Sequence, residues 1–187
     1  HTTAKAKAQH DLIYDALIKH FGVEKARLYY ESNNKALQFI VKTVQTYKID
    51  CNFSNEDSYL YTTTDNGLRN LSKEHEAYQK LNIPCDYVQS LSIPIPVQSA
   101  LVMKNQAQFH PLLYLKTLLE KFVEMGGKVY EQTTAMDVEK GEYPQIITKE
   151  GHHITCEYVV SCSHFSFYDA NSFFFTRMYA ERSYALA

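Results

Sequence analysis

At Gly126-Gly127 the periodicity of the chain changes, and this change constrains the fold more than any other feature of the sequence. Upstream of it, Pro111 opens a helical stripe carried by Leu112, Leu115, Leu118, Leu119 and Phe122, and proline suits a first helical position. Downstream, five short runs have strand composition, at residues 128–131, 134–139, 145–149, 152–156 and 158–161. Lys140-Gly141 and Glu150-Gly151 supply turns between them. A helix, a strand, a small antiparallel ribbon and a second apolar strand make an α/β pattern with an inserted meander.

Helical spacing also dominates the first third of the chain. Thr2 or Thr3 can cap a helix that gathers Leu12, Ile13, Ala16, Leu17 and Phe21 on one face and stops at Gly22. A longer helix follows, with Ala26, Tyr29, Tyr30, Ala36, Leu37, Ile40, Val41 and Val44 on its buried side. Strands are expected at 51–53 and 59–64, a turn at Asp65-Asn66-Gly67, and a polar helix over 71–81 stopped by Ile83-Pro84. Residues 90–103 contain Pro94 and Pro96 and read as an edge strand or irregular ribbon. The tail, 173–187, alternates enough for one or two further strands.

Composition narrows the function classes. A chain of 187 residues holds one globular domain or two small lobes. With 45% hydrophobic and 21% charged residues it is not a disordered chain. A net charge of −2 leaves no electrostatic footprint for a nucleic acid or an anionic membrane. No apolar run is long enough to span a bilayer, and residues 1–10 contain no secretory core. Cysteines at 51, 85, 156 and 162 form no C-x-x-C pair and suggest no disulfide framework, so a reducing cytoplasmic setting is expected. Fifteen tyrosines favour pockets and interfaces, where an apolar ring needs a polar tip.

Few residues carry recognisable chemistry. His152, His153 and Cys156 cluster, but neighbours on a strand point to opposite faces, so no metal site is expected. Cys162 and His164 form a C-x-H pair without the second Cys/His pair of a Rieske centre. There is no G-x-S-x-G elbow, and six glycines yield no G-x-G, so neither a dinucleotide fingerprint nor a P-loop can be drawn. His1-Thr2-Thr3-Ala4-Lys5 places hydroxyls and a cation at a helix start, which suits a pyrophosphate or serves as an ordinary N-cap. Arg177 and Arg182, beside Tyr179 and Tyr184, suit either a substrate carboxylate or a structural ion pair on a solvated strand.

Several segments resemble a known family. Gln108-Phe109-His110-Pro111 with the helix behind it, Gly126 to Glu131, and Thr133 to Glu139 look like the middle of FAD-dependent amine and amino-acid oxidoreductases, the group that includes glycine oxidase and sarcosine oxidase. Tyr158 to Ser163 is similar to that family's second FAD-lining strand, and His1 to Tyr14 resembles the helix that follows its glycine-rich FAD loop. The tail from Phe175 to Tyr184 looks like a bacterial subgroup whose members often carry a C-terminal Rieske domain.

The resemblance implies an α/β (α+β) chain that is an internal fragment: a substrate-binding domain with a mixed or antiparallel sheet, plus part of an FAD-binding Rossmann-like domain. Residues 1–32 and 105–170 would belong to the FAD domain, and 33–104 and 171–187 to the substrate domain. The parent would oxidise an amine or amino acid by hydride transfer to flavin, and a 2Fe-2S centre in the parent would lie outside this chain. Thr2, Thr3 and Lys5 would neighbour the FAD pyrophosphate, Ala135 would touch adenine, and Ser161, Cys162 and Ser163 would line the dinucleotide. No catalytic residue is assigned; Tyr61, Arg177 and Arg182 are chosen as substrate contacts because a carboxylate wants an Arg and a hydroxyl. Because the family's N-terminal glycine-rich unit is missing, the isolated chain is expected to be inactive, to retain little or no FAD and to leave strands unpartnered. The alternative is a non-catalytic interaction or small-molecule-binding domain on the same scaffold.

Overall fold

The computed structural model describes residues 4–91, 94–163, 165–169 and 173–179. The chain divides into two compact units, His1–Gly127 and Lys128–Ala187. Both are built from antiparallel sheets, and helices occur with the larger one, so the expected mixed α/β class holds. Among the described residues no helix is long and apolar enough to cross a membrane.

The first unit runs β1 (Lys5–Ala6), α1 (Tyr14–Tyr47), β2 (Ser54–Thr62), α2 (Asp65–Leu81), β3 (Asp86–Val88), β4 (Ser99–Gln108) and α3 (Pro111–Glu124). Strand β4 is the spine of the sheet. β2 pairs along one edge of it from Ser54↔Gln108 to Thr62↔Ser99. β1 and β3 share the other edge, at opposite ends: Lys5 and Ala6 face Gln108 and Ala107, while Asp86 to Val88 face Val102 to Ala100. The expected edge ribbon over 90–103 is therefore corrected. Both prolines fall before Ser99, so β4 keeps every N–H its ladder needs and can be central.

α1 is two helices joined at a kink. Gly22 sits at φ 83°, ψ 166°, a region open to glycine alone, and breaks the hydrogen-bond run where the sequence predicts a stop. The helix start expected at Thr2 or Thr3 lies outside the described residues, and the run expected to follow it is not helical: after β1, residues 7–13 are irregular chain and the helix begins at Tyr14. Its N-cap residue, Ile13, has no side-chain acceptor. The fully buried Glu74 of α2 replaces it, with Oε1 accepting from the Tyr14 N–H at 2.8 Å and Oε2 from the Asp15 N–H at 3.0 Å.

α2 starts earlier than expected, because Thr64 caps it through the Gly67 N–H at 3.2 Å and Asp65-Asn66-Gly67 becomes its first turn. α3 keeps its expected start, with His110 Nδ1 accepting from the Leu113 N–H. The strand expected at 51–53 does not form. The core joins both long helices to β4: Tyr14, Ala26, Leu71, Tyr78, Leu81, Leu101 and Met103 pack together, with the Tyr14 and Tyr78 rings edge-to-face at 5.2 Å.

The second unit contains β5 (Ala135–Glu139), β6 (Gln145–Thr148) and β7 (His153–Thr155), an antiparallel meander on the expected turns. The other two expected strands, at 128–131 and 158–161, do not form. They have strand composition but no ladder partner among the described residues, and a lone strand leaves its backbone groups to water. At 173–177 the tail makes a 3₁₀ turn, Phe174–Arg177, entered through Phe173 at φ 52°, instead of a strand.

Candidate functional site

Directly opposed residues in an antiparallel ladder share a face. Leu60, Leu101 and Tyr87 form one such row and point to the helices, where Tyr87 stacks on His75 of α2. The alternate rows, Tyr61–Ala100–Val88 and Tyr59–Val102–Asp86, therefore occupy the other face. Ala100 and Val102 are buried in its floor, and the two tyrosine rings stand beside them roughly half exposed.

Lys104 extends this face. Between Glu56↔Gln106 and Ser58↔Met103 the register slips, so Lys104 and Asn105 oppose Asp57 alone, with Asn105 at φ 57°. Two residues beyond Val102 on the same face, Lys104 reaches Asp86, Nζ to Oδ2 at 2.6 Å, and that carboxylate holds the ammonium pKa above its usual value. The Gln106 side chain ties the segment after β1 to this strand. Its Oε1 accepts from the buried Ala8 N–H at 2.7 Å, while its Nε2 donates to the Lys104 carbonyl. Beyond the bulge, Lys5 and Lys7 flank the buried Ala6 and point away from it. They line a depression of about 410 Å³ with Glu56, Asp57, Tyr59 and Gln108. Neither lysine forms an ion pair with a described carboxylate.

The chain thus presents an open sheet face with phenols at one end, an ion pair in the middle and, at the other, two ammonium groups with no ion-pair partner among the described residues. Tyr61 opposes Ala100, and Lys5 opposes Gln108 eight residues along β4. At about 3.3 Å per residue roughly 25 Å separates them, so one small molecule cannot touch both. Lys5 lies in a strand, not at a helix start, so α1 lends it no N-terminal amides. Ala135 opens β5, opposite Thr148, in the second unit. Ser161, Cys162 and Ser163 are exposed, and the two hydroxyls lie 3.1 Å apart. Arg177 is exposed at the end of the 3₁₀ turn, while Thr2, Thr3 and Arg182 lie outside the described residues. Lys7, Lys104, Gln106 and Glu74 were not singled out in the sequence. Only Lys7 carried a local signal, the period-2 alternation of Lys5-Ala6-Lys7.

Residues 3–187 match the model of the FAD dependent oxidoreductase family. The chain belongs to that family. A Bacillus subtilis (strain 168) protein, YhfW, whose name describes a Rieske 2Fe-2S iron-sulfur protein, is 52% identical over all 187 residues. The chain spans 37% of that protein's length. Among solved structures, glycine oxidase from Geobacillus kaustophilus superposes with a TM-score of 0.57 at 14% identity, over 84% of this chain and 41% of its own. L-amino acid deaminase from Proteus vulgaris gives 0.55 at 15%, over 82% and 35%. These likenesses establish a shared fold.

The sequence has no G-x-G, Lys5 is set in a sheet, Ala135 is held in the β5–β6 ladder, and the serine hydroxyls at 161 and 163 lie against each other in the open. Among the described residues no three His, Cys, Asp or Glu side chains converge as metal ligands.

Proposed function

We propose that this chain is the substrate-side portion, with part of the cofactor edge, of an FAD-dependent enzyme that oxidises an amine or amino acid. The family match over residues 3–187 carries this reading. The open face of the four-stranded sheet, with Tyr59, Tyr61 and Lys104, is the surface on which that substrate is held. Phenol hydroxyls and an ammonium group there supply hydrogen bonds and positive charge for a carboxylate. Residues 33–104 and 171–187 serve the substrate, and 1–32 and 105–170 serve FAD through Thr2, Thr3, Lys5, Ala135 and Ser161 to Ser163. The YhfW name supports a 2Fe-2S domain elsewhere in the intact protein.

The incomplete cradle makes the isolated chain catalytically silent. Purified as 187 residues, it is expected to carry no flavin absorbance, whereas the protein from the complete reading frame is yellow. A short chain that keeps stoichiometric FAD contradicts the incomplete cradle. A colourless complete protein that binds no added FAD favours the non-catalytic scaffold instead.

A further inference from the structure

Gln106 is only 5% exposed, and both ends of its carboxamide are bonded. Its Oε1 accepts from the Ala8 N–H at 2.7 Å, 98 residues away in sequence. Its Nε2 donates to the Lys104 carbonyl at 2.9 Å. A buried carboxamide is costly unless its partners are supplied, and once satisfied it fixes the groups it joins. Here it joins two segments that no ladder connects. β1 stops at Ala6, and β3 takes up the same edge of β4 only at Val102. In the stretch between them, side chains take over the role of a ladder. Ala8 is fully buried, with its N–H on Gln106 and its carbonyl accepting from the Tyr14 hydroxyl at 2.6 Å.

The two segments carry the cations of the open face. Lys104 holds its ammonium group on Asp86, on the surface assigned above to the substrate. Lys7 immediately precedes Ala8, and Lys5 pairs with Gln108, four residues along β4 from Lys104. At about 3.3 Å per residue the two sets lie no more than roughly 13 Å apart along the strand. Releasing either hydrogen-bonded backbone group frees the ammonium group beside it to move. We propose that Gln106 is a positioning residue for the reaction proposed above, holding Lys104 on the substrate surface and Lys5-Ala6-Lys7 on the cofactor edge at a fixed spacing. Its geometry comes from hydrogen bonds inside one compact unit, His1–Gly127. The roles of the two edges rest on the functional reading.

The test uses the complete flavoprotein as wild type, Gln106→Met, Gln106→Glu and Leu71→Ala, the last a core change away from both hydrogen bonds. Three quantities are read well below each melting temperature. They are hydrogen exchange at the Ala8 amide by mass spectrometry, the FAD dissociation constant, and the half-saturating concentration for flavin reduction. The reductant is whichever of glycine, the common L-amino acids and benzylamine reduces the wild-type flavin fastest. In Gln106→Met all three should rise about tenfold, the effect of losing one buried hydrogen bond at each partner. The limiting rate should stay within about twofold, because binding and not the chemical step is disturbed. Gln106→Glu keeps the acceptor for Ala8 and loses the donor to Lys104. It should raise the half-saturating concentration alone, and it carries the test should Gln106→Met fail to fold. Leu71→Ala should lower the melting temperature and leave the FAD constant and the half-saturating concentration as in wild type. Wild-type constants in Gln106→Met overturn the inference, and so does a Leu71→Ala protein whose constants move as far. A wild-type flavin that dithionite reduces and the panel does not contradicts the functional reading. Wild-type exchange at Ala8 in Gln106→Met contradicts the inference alone, so the two failures are distinguishable.

Discussion

Glu74 is a fully buried carboxylate that forms no ion pair with a described cation. Two backbone N–H groups of α1 hold it, and they do not fully offset the loss of water, so burial pushes its pKa up, with Asp15 adding to the rise. A carboxyl raised in the folded state binds more protons folded than unfolded between its two pKa values. Its contribution to stability is therefore complete at low pH and declines as pH rises from the ordinary glutamate range through the raised value. Denaturant titrations of wild type and Glu74→Gln across that window should show the difference shifting toward the variant as pH rises. Glu74→Ala, which leaves both N–H donors without an acceptor, should cost about 2–4 kcal/mol at low pH, and the cost should shrink as pH rises through the same window. A pH-independent difference, or an alanine variant as stable as wild type, contradicts this account of the cap. None of it was legible in the sequence, because donor and acceptor lie about 60 residues apart and no local pattern pairs them. Tyr61 was legible as a strand residue in a Tyr- and Thr-rich run. The ion pair of Lys104 was not, because Asp86 comes beside it only through the pairing of β3 with β4.

At the scale of elements, what the sequence showed and what it hid divide along one physical line. Local signals read correctly: the stop at Gly22, the start of α3 at His110-Pro111, and the three strands of the meander. Gly22→Ala tests the first of these. At φ 83°, ψ 166° an L side chain is strained by about 1–3 kcal/mol, so the melting temperature should fall although alanine is the better helix former. A rise would show that α1 runs on as one straight helix. Signals that depend on a partner failed. Whether β4 is edge or centre is decided by β1, β2 and β3 pairing with it, and the runs at 128–131 and 158–161 lack a ladder partner among the described residues. Strand composition states a preference for a sheet, and pairing must still be supplied by neighbours.

At the scale of the whole molecule, the chain is a family member that spans 37% of one relative and 41% of glycine oxidase. Its larger unit offers a finished core and an open sheet face; its smaller unit offers a meander beside unpaired runs. On the proposed reading, both features are those of a portion of an enzyme whose cofactor cradle is completed by further polypeptide. The most direct measurement is anaerobic titration of the complete flavoprotein with a panel of amino acids and simple amines, followed by the flavin absorbance. At least one compound should bleach the oxidised flavin band with saturation, and Tyr61→Phe with Lys104→Met should raise the concentration needed while the bound flavin is kept. A flavin that no amine or amino acid reduces, in a protein that dithionite reduces normally, would contradict the proposed activity.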